Sequence, residues 1–491
     1  MENMKKRNSK QKIFNGHEFK DGVFVAPFNT LDSMRPCNWF TERQPEYLWL
    51  GLILNSFDDR KIGLNQIMMA LQRLSFASEK WPFPTLSGLF EQGSAIQKNV
   101  YQILEEFGFS NAISPLSLVY SFSEQPVFSS FFAKGEFDFE KNLIVLETVI
   151  RKMADHQSDF ATDIRFCVLY YRIISGLLHM PADMIREMAL YPTIDHSDER
   201  MRSIRPFIRS SEGTFPLNNK PFLEDFWRKC GAMFECKSFT LPYEKNVSEE
   251  FIKKYTTLVK DVFYYYRDLY RITNPLDDKM LVLLGLSIYS YKRFLEIINH
   301  NLYNAISGRS IVRVLIEDYI MMKYLLKKES DKPDIWKEYQ SYGMGNLKLV
   351  TERYNANNKS PDENCHLDLQ YLNILVDVFK NRFMQDMDTR FFGDSQIRQK
   401  FEDVNEKDLY FIYDYDSGFE HGLWGAIRES ALLFCDTPGH QYHCIPDVDN
   451  LQKMKSIWYD SVTVLNKTIK LLVDQYDISD DLKKRLVEYG I

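Results

Sequence analysis

The sequence predicts an all-α protein, and three observations support this class. Apolar residues recur at steps of three and four residues along most of the chain, which is typical of amphipathic helices. Bulky side chains are abundant, with 36 Phe, 28 Tyr and 7 Trp against 21 Gly, a balance that suits packed helices better than turn-rich β-sandwiches. Strand-like alternation is nearly absent after residue 44. We therefore expect no sheet larger than a short hairpin.

The chain is expected to form two domains. Its 491 residues exceed one ordinary hydrophobic core. The stretch 236-CKSFTLPYEKNVSEE-250 is polar, contains proline and lacks helical periodicity, so we place the boundary at about 240. Residues 1–240 are predicted to form an irregular helical domain, and residues 241–491 a bundle of long helices.

In the first half, irregular chain is expected up to residue 44, with a short extended piece at 22–28. Pro45 then stands at a favourable first helical position. Helical periodicity predicts the following helices: 45–54, 64–74, 94–108, 137–155, 157–180, 181–191 and 221–234.

In the second half, Ser248 followed by two glutamates predicts the start of a helix that runs to about 272. Asn274 and Pro275 break that helix. The same periodicity predicts further helices: 277–303, 306–328, 334–355, 366–388, 406–431, 448–476 and 479–489.

Composition indicates a cytoplasmic protein. The formal net charge of −7 argues against a generally basic, nucleic-acid-coating surface but leaves room for a local basic cleft. No apolar run has the length of a membrane span, and the basic start lacks the apolar region of a secretory signal. Seven cysteines, an odd number spread from Cys37 to Cys444, suggest reduced thiols.

Two polar stripes carry the candidate chemistry. Arg309, Arg313 and Glu317 follow one another at four-residue steps, so they share one face of the predicted helix 306–328. Apolar residues beside that stripe indicate that the Arg313–Glu317 pair faces the bundle interior. A buried charge pair is costly to place and needs a reason. A structural ion pair between residues four apart is the simpler interpretation of this stripe.

The second stripe lies in 413-YDYDSGFEHG-422 and beyond. On the predicted helix 406–431, one face carries a phenol, a hydroxyl, an imidazole and a guanidinium, which together can orient a phosphodiester, move a proton and neutralise charge. A core histidine with neighbouring hydroxyls is the structural alternative. The stripe consists of Tyr413, Ser417, His421, Trp424 and Arg428. The acids on the other faces are expected to be solvated: Asp414, Asp416 and Glu420.

The two stripes together resemble a known family. An Arg-x-x-x-Glu helix, here Arg313 and Glu317, precedes a Tyr-x-x-x-Ser-x-x-x-His segment by about a hundred residues, here Tyr413, Ser417 and His421. This arrangement resembles the DUF5677 family over roughly 250–435. The stretch 45-PEYLWLGLIL-54 is also similar to the opening of longer bacterial proteins that carry such a domain. The resemblance implies a helical bundle like that of the HEPN superfamily, which includes ribonucleases of antiphage defence and toxin–antitoxin modules.

The resemblance implies roles for these residues. Arg313 would hold a phosphate, Glu317 would orient Arg313, and His421 would act as acid and base. Ser417 would complete the catalytic set, while Arg309, Tyr413 and Arg428 would contact the substrate. HEPN ribonucleases carry Arg and His on one helix with four to six residues between them, a spacing that neither stripe contains, so Arg313 and His421 must converge from two helices. We expect the spacing at Arg172 and His179 to have no functional meaning, because the residues between them are mostly apolar.

Metal chemistry ranks lower. Cys435, His440, His443 and Cys444 lie within ten residues and could bind zinc, but their spacing fits no closed zinc pattern and Cys435 is expected to lie in a helix. We expect no metal and no cofactor.

Three functions remain open at this point. The protein could be a HEPN-like effector that acts on RNA or nucleotides without metal. It could be a non-catalytic module of a defence or toxin–antitoxin system, with a protein partner bound by the aromatic-rich N-terminal half. It could also be a structural protein whose two stripes fix the register of the helices. The resemblance further implies a homodimer.

Overall fold

The computed structural model describes most of the chain. The described residues are 18–20, 22–25, 38–77, 81, 84–134, 137–215, 217, 219–239, 247–272, 277–356, 365–380, 383, 392–449 and 454–491. Their structure is predominantly helical, which confirms the predicted all-α class.

Two compact units divide the chain. One comprises Met1–Phe239 with Phe434–His443, and the other comprises Thr240–Leu433 with Cys444–Ile491. The division at 239/240 falls beside the boundary placed from the sequence. The return of residues 434–443 to the first unit was not expected, since those residues lie almost 200 positions further along the chain. We refer to these parts as unit 1 and unit 2.

Unit 1 is built around a helix that is buried on every side. Each residue from 44 to 54 is buried, which explains the continuous apolar run at 48–54. The helices of unit 1 are α1 Gln44–Asn55, α2 Arg60–Ala77, α3 Leu86–Phe90, α4 Ser94–Glu106, α5 Ser110–Ile113, α6 Pro126–Phe132, α7 Phe139–Ala154, α8 Asp159–Ile174, α9 Ala182–Leu190, α10 Met201–Gly213 and α11 Lys220–Met233. Shorter turns of π or 3₁₀ helix lie at Trp39–Arg43, Ser114–Leu118, Tyr191–Thr193 and Pro438–His440.

Unit 2 contains longer helices, as predicted. They are α12 Glu249–Ile272, α13 Asp278–Asn299, α14 Ile306–Lys328, α15 Ile335–Ala356, α16 Leu369–Asp377, α17 Ile397–Asp403, α18 Lys407–Glu420, α19 Trp424–Ser430, α20 Trp458–Gln475 and α21 Asp480–Val487. The Ser248 Oγ accepts a hydrogen bond from the Phe251 N–H at 3.2 Å, so the predicted cap ahead of α12 is present.

The centre of unit 2 is α14. It packs against α13, α18 and α20, and its apolar side chains form one core with theirs. Within the described residues, no helix is both long enough and apolar enough to cross a membrane. Because α14 packs against α13, α18 and α20, the site predicted on it lies among the helices of this unit.

Several predicted helices differ from the structure. The predicted helix 406–431 is broken into α18 and α19, and 448–476 begins only at Trp458. The helix α10 was not predicted, and it contains Pro206, a residue type that usually ends a helix. The prediction at 366–388 is confirmed for Leu369–Asp377, while most residues beyond 380 lie outside the described part.

Short strands exceed what the sequence predicted. Near the start, β1 Glu18–Lys20 pairs with β2 Val23–Val25, consistent with the expected extended piece. A second sheet has three strands in the order β3 Ser238–Phe239, β4 Leu432–Cys435 and β5 Cys444–Pro446. The expectation of nothing larger than a hairpin was therefore wrong by one strand. Cys435 lies on β4, and its expected helical position is also wrong.

Candidate functional site

The two predicted stripes meet where α14 packs on α18. Arg313 and Glu317 lie one turn apart on α14, and Tyr413 and Ser417 lie one turn apart on α18. These four side chains form a single hydrogen-bonded cluster, which we call the Arg313 network. This contact follows from the sequence, because both stripes lie in one bundle and each would otherwise leave polar groups unpaired there.

Arg313 is the hub of the network. Its Nε donates to the Ser417 Oγ at 3.1 Å, and its Nη2 donates to the Tyr413 Oη at 3.2 Å. The Glu317 carboxylate accepts two hydrogen bonds from the guanidinium, one from Nη2 to Oε1 at 3.0 Å and one from Nη1 to Oε2 at 3.4 Å. The guanidinium carbon also lies 5.1 Å from the centre of the Tyr413 ring. Contacts to two helices therefore fix the plane of the guanidinium.

The two hydroxyl groups are committed to structural hydrogen bonds. The Tyr413 phenol donates to Glu317 Oε1 at 2.9 Å. Burial, with the Glu317 carboxylate adding to it, raises the pKa of Tyr413 and keeps its proton in place. The Ser417 hydroxyl donates to the backbone oxygen of Tyr413 at 2.6 Å. Because its proton points to that carbonyl, Ser417 is not arranged as a nucleophile.

The network keeps limited access to solvent. The Arg313 and Glu317 side chains are 17% and 30% exposed. A guanidinium has five N–H groups, and four of Arg313 are used: Nε, both of Nη2 and one of Nη1. Among the described residues, one Nη1 N–H is left to meet a ligand. Arg313 can thus offer one oriented donor and a positive charge, although Glu317 balances that charge.

His421 stays outside the network. It is the C-cap of α18, directly after Glu420 and one turn beyond Ser417, and it is exposed. In the described part of the chain, its imidazole makes no hydrogen bond or ion pair. Four residues of helix separate Ser417 from His421, a rise of about 6 Å. Among the described residues, no hydrogen bond or ion pair therefore joins His421 to Arg313, although the two were predicted to converge.

Two residues were expected to face solvent or substrate and instead are buried. Arg309 is 2% exposed, and its guanidinium donates to the backbone oxygens of Lys455 at 2.8 Å and Ala305 at 3.3 Å. Backbone oxygens accept from both Nη atoms and burial removes the guanidinium from solvent, which argues against the predicted substrate contact by Arg309. Asp416 is also 2% exposed, and burial raises its pKa to about 7 against the opposing charge of Arg309. The expectation that Asp416 is solvated was wrong.

The other two acids of that segment behave closer to expectation. Glu420 is exposed. Asp414 is partly exposed and accepts a hydrogen bond from Arg398 Nη2 at 2.9 Å. Of the three acids, only Asp416 is buried.

The predicted stripe ends where α18 ends. Gly422 has a φ of +59°, and the Leu423 N–H bonds to the Gly418 oxygen at 2.9 Å, an arrangement that terminates helices. Trp424 and Arg428 lie on the separate helix α19, so they do not continue the face of Tyr413 and Ser417. The prediction that Arg428 shares one continuous helix face with Tyr413 is therefore wrong, while its contact with a substrate stays a prediction. The glycine was the signal in the sequence that could have shown this break.

The Arg–His spacing typical of HEPN ribonucleases occurs elsewhere in the chain. For the predicted pair of Arg172 and His179, α8 ends at Ile174. Buried Arg172 therefore lies on the helix, while exposed His179 lies beyond it. The same spacing also occurs at Arg151 and His156 and at Arg293 and His300, neither of which was predicted to matter.

The pair formed by Arg293 and His300 at the end of α13 is comparable with the pair formed by Arg313 and His421. Arg293 donates from Nη1 to Glu296 Oε2 at 2.5 Å, and the Nε of Arg293 is buried without a partner among the described residues. His300 is exposed and is the C-cap of α13, as His421 is the C-cap of α18. His300 is therefore a second candidate for proton transfer in unit 2.

A basic and aromatic groove lies between α12 and α13. Its volume is about 530 Å³, and its lining includes Lys260, Arg267 and Lys292 together with Tyr264 and Tyr291. The Lys260 ammonium and the Arg267 guanidinium lie 5.3 Å and 4.6 Å from the centre of the Tyr264 ring. Cations beside aromatic rings are the elements of single-strand nucleic-acid binding. This groove supplies the local basic cleft for which the net charge left room.

The predicted zinc candidates are only partly brought together. Cys435, His440 and His443 cluster, but the fourth member is Cys236 in place of Cys444. Cys444 lies on β5 and is not one of the four. No local spacing could have revealed Cys236, because it is 199 residues from Cys435 along the chain.

One comparison with known proteins gives a match. Residues 280–440, from α13 to the turn after β4, match a family model described as "Family of unknown function (DUF5677)". This confirms the family resemblance predicted for the C-terminal half, and the matched segment contains the whole Arg313 network. No curated protein and no solved structure matches the chain.

Proposed function

We propose that unit 2 is a HEPN-like effector that cleaves phosphodiester bonds in RNA or nucleotides without metal, as part of a bacterial antiphage-defence or toxin system. Its site of action would be the cytoplasm. The observation that carries the proposal is the Arg313 network, which holds a partly exposed guanidinium in fixed orientation between two helices. His421 stands one turn further along α18 with its imidazole exposed.

The proposed chemistry assigns one task to each side chain. Arg313 donates its remaining N–H to a phosphate oxygen and stabilises the negative charge that grows there. Glu317, Tyr413 and Ser417 act as positioning residues, because their hydrogen bonds hold the guanidinium before a substrate arrives. His421 takes the proton of the RNA 2′-hydroxyl as the 2′-oxygen bonds to phosphorus. The bond to the 5′-oxygen breaks, and that oxygen receives a proton from the imidazolium.

The surroundings support an RNA substrate. Trp424, three residues after His421, is 69% exposed and offers a face on which a base can stack. The groove with Lys260, Arg267 and Lys292 adds positive charge on the same unit. Both features suit a single strand better than a duplex, since unpaired bases are free to stack on side chains.

The test is a pair of substitutions with a matched control. Arg313→Ala and His421→Ala should abolish toxicity or phage protection in cells, while His366→Ala, at another exposed histidine of unit 2, should retain it. Thermal unfolding of each purified variant must accompany the cell assay. His421→Ala should keep the melting temperature, because its imidazole has no hydrogen-bond partner among the described residues.

The outcomes separate catalysis from scaffolding. Loss of function with an unchanged melting temperature in His421→Ala supports the site. Loss in His300→Ala with function retained in His421→Ala would move proton transfer to α13 and overturn the role of His421. Collapse of stability in both Arg313→Ala and His421→Ala would mean that the residues are scaffold.

A non-catalytic interaction module is the second candidate. It is favoured by the near-complete use of Arg313 donors inside the protein and by large exposed aromatic residues of unit 1, such as Phe76 and Phe122, which are 78% and 68% exposed. In that case a protein partner binds the N-terminal half, and phage protection survives both substitutions. Light scattering on the purified chain would test the homodimer that the HEPN resemblance implies.

A further inference from the structure

Four metal-binding side chains converge in unit 1, outside the Arg313 network. They are Cys236, just before β3, Cys435 at the end of β4, and the two histidines of the turn that follows, His440 and His443. One ligand atom from each lies within 4.8 Å of the other three. Cysteine sulfur and histidine nitrogen are the ligands that zinc prefers in proteins.

The separations match those around a tetrahedral ion. With Zn–S of about 2.3 Å and Zn–N of about 2.0 Å, tetrahedral angles place two sulfurs about 3.8 Å apart and a sulfur and a nitrogen about 3.5 Å apart. The Cys236 and Cys435 sulfurs are 3.4 Å apart. Cys236 Sγ lies 3.3 Å from His443 Nε2, and Cys435 Sγ lies 3.6 Å from His440 Nδ1. Each of these three pairs lies within a few tenths of an ångström of the expected value, and all four ligand atoms lie within 4.8 Å of one another.

The hydrogen bonds of His440 select the tautomer that a metal needs. Its Nε2 lies 3.0 Å from the Phe234 oxygen and 3.1 Å from the Gly231 oxygen. Only a protonated nitrogen can face two carbonyl oxygens, so the proton of a neutral ring sits on Nε2. The lone pair of Nδ1 then points into the cluster. A backbone carbonyl behind the far nitrogen is the usual support of a metal-binding histidine.

The backbone around the cluster is specialised for this arrangement. The Thr437 N–H donates to Cys435 Sγ at 3.4 Å, a contact that stabilises a thiolate. A β-carbon at Gly439 would collide with the Phe234 ring, so only glycine lets this turn approach α11. Gln441 and Tyr442 both have positive φ, 54° and 51°, and they bring the two imidazole centres to 5.0 Å. Such strained backbone persists where the surroundings fix it, often at functional sites.

We propose that Cys236, Cys435, His440 and His443 bind one zinc ion in a closed tetrahedral site. Four protein ligands leave no position for a substrate, so the zinc is structural. The ion fastens the returning segment 434–443 to the end of the N-terminal chain segment of unit 1. It closes a loop of 199 residues between Cys236 and Cys435, which restricts the unfolded chain as a disulfide would. This proposal replaces the expectation of no metal that the sequence alone suggested, and it is independent of the proposed function of unit 2.

A disulfide between Cys236 and Cys435 is the competing interpretation. A disulfide bond needs its sulfurs about 2.0 Å apart, well below the 3.4 Å observed. It would also leave the two imidazoles without a role. Thiol counting separates the two cases, because zinc-bound cysteines react as free thiols after denaturation and disulfide-bonded ones do not.

The experiment measures metal in the full-length chain after purification without added chelator. Elemental analysis should find about one zinc per chain. Cys236→Ser, at an exposed position, should lose that zinc, while Cys444→Ser, at the nearby cysteine outside the cluster, should retain it. Exchange of the zinc for Co²⁺ should give tetrahedral d–d bands and a thiolate-to-cobalt charge-transfer band in the wild type and Cys444→Ser, and neither in Cys236→Ser.

Three results would overturn the proposal. They are a metal-free wild-type chain that takes up no Co²⁺, two fewer thiols than cysteines in the denatured protein, and unchanged zinc content in Cys236→Ser. The cobalt spectrum of the wild type does not depend on any variant folding. It therefore decides the question even if Cys236→Ser is unstable.

Discussion

At the level of single residues, unit 2 contains both a partly exposed ion pair and a buried acid without a partner for one of its oxygens. Arg313 and Glu317 neutralise each other at the edge of the core and keep some exposure. Asp416 lies deeper, and its Oδ2 has no hydrogen-bond partner among the described residues. Burying an unpaired carboxylate is costly, so the fold prefers Asp416 in its protonated form. The sequence showed that these residues were polar and close, but it could not show which acid the packing of α18 on α14 encloses.

The cost of Asp416 should appear as a pH-dependent effect on stability. Burial raises its pKa from 3.8 to about 7, so the folded state binds this proton more tightly than the unfolded state. The resulting stability is fully present below about pH 4 and is lost as the pH rises through 7. Asp416→Asn should therefore raise the free energy of unfolding by about 1–3 kcal/mol at pH 8 and leave it nearly unchanged at pH 4. Urea unfolding at the two pH values measures both.

The matched control is Asp414→Asn, two residues earlier on α18 and paired with Arg398 near the surface. It should change stability little at either pH, because exposed ion pairs contribute at most about 1 kcal/mol. Equal stabilisation of both variants at pH 8 would contradict the buried-acid explanation.

At the level of elements, periodicity located most helices and failed where a single residue decides the end. The start of α12 followed from Ser248 and its cap, and the bounds of α14 agree with the prediction. The break between α18 and α19 depends on Gly422, which the apolar pattern around it conceals. The contact between β3 and β4 pairs Ser238 with Cys435 and Phe239 with Phe434, which lie far apart along the chain, and no local pattern encodes such a pairing. The Arg313 network was predictable because both of its halves are local stripes.

Gly422 should therefore tolerate no side chain without cost. A β-carbon there would meet no neighbour, so the cost of Gly422→Ala comes from its φ of +59° alone and should be about 1 kcal/mol. Gly425→Ala, in α19 and equally free of neighbours, should be neutral or slightly stabilising, since alanine favours a helix over glycine. Chemical denaturation of the two variants gives the comparison. Equal destabilisation by both would contradict the proposed helix end.

The groove between α12 and α13 should bind single-stranded RNA through its cations. Replacing Lys260, Arg267 and Lys292 by alanine should weaken binding and reduce the slope of log K against log salt by about 2, at roughly 0.7 for each phosphate that is no longer neutralised. Fluorescence anisotropy across a salt series measures the slope. A control with equal charge change, in which Lys332, Lys470 and Lys484 become alanine, should keep the slope of the wild type. Identical slopes for both triple variants would argue against the groove.

At the level of the whole molecule, the chain crosses between its two units more than once. Unit 1 contains residues 434–443 although the flanking residues belong to unit 2. That segment is bonded within unit 1: Arg151 pairs with Asp436 at 3.0 Å, and the Asp436 N–H donates to the Lys237 oxygen at 2.7 Å. The two domains predicted from the sequence are therefore not separable by one cut.

Limited proteolysis provides a test of this organisation. We expect cleavage within 236–250 or 356–364, where proline, asparagine and charge cluster without helical periodicity. After a cut within 240–246, the C-terminal fragment still carries 434–443, so both fragments should co-elute in native gel filtration. They should separate only in denaturant. Separation under native conditions would contradict the assignment of 434–443 to unit 1.

The central claim is that the Arg313 network and His421 form a site for metal-independent cleavage of RNA. The most direct measurement is the incubation of purified full-length protein with end-labelled single-stranded RNA in buffer without divalent cations. The wild type and His366→Ala should produce fragments with 2′,3′-cyclic phosphate and 5′-hydroxyl ends, because the 2′-oxygen is the proposed nucleophile. Arg313→Ala and His421→Ala should produce none while remaining folded. Cleavage by folded His421→Ala at the wild-type rate, or no cleavage of any RNA by the wild type, would contradict the claim.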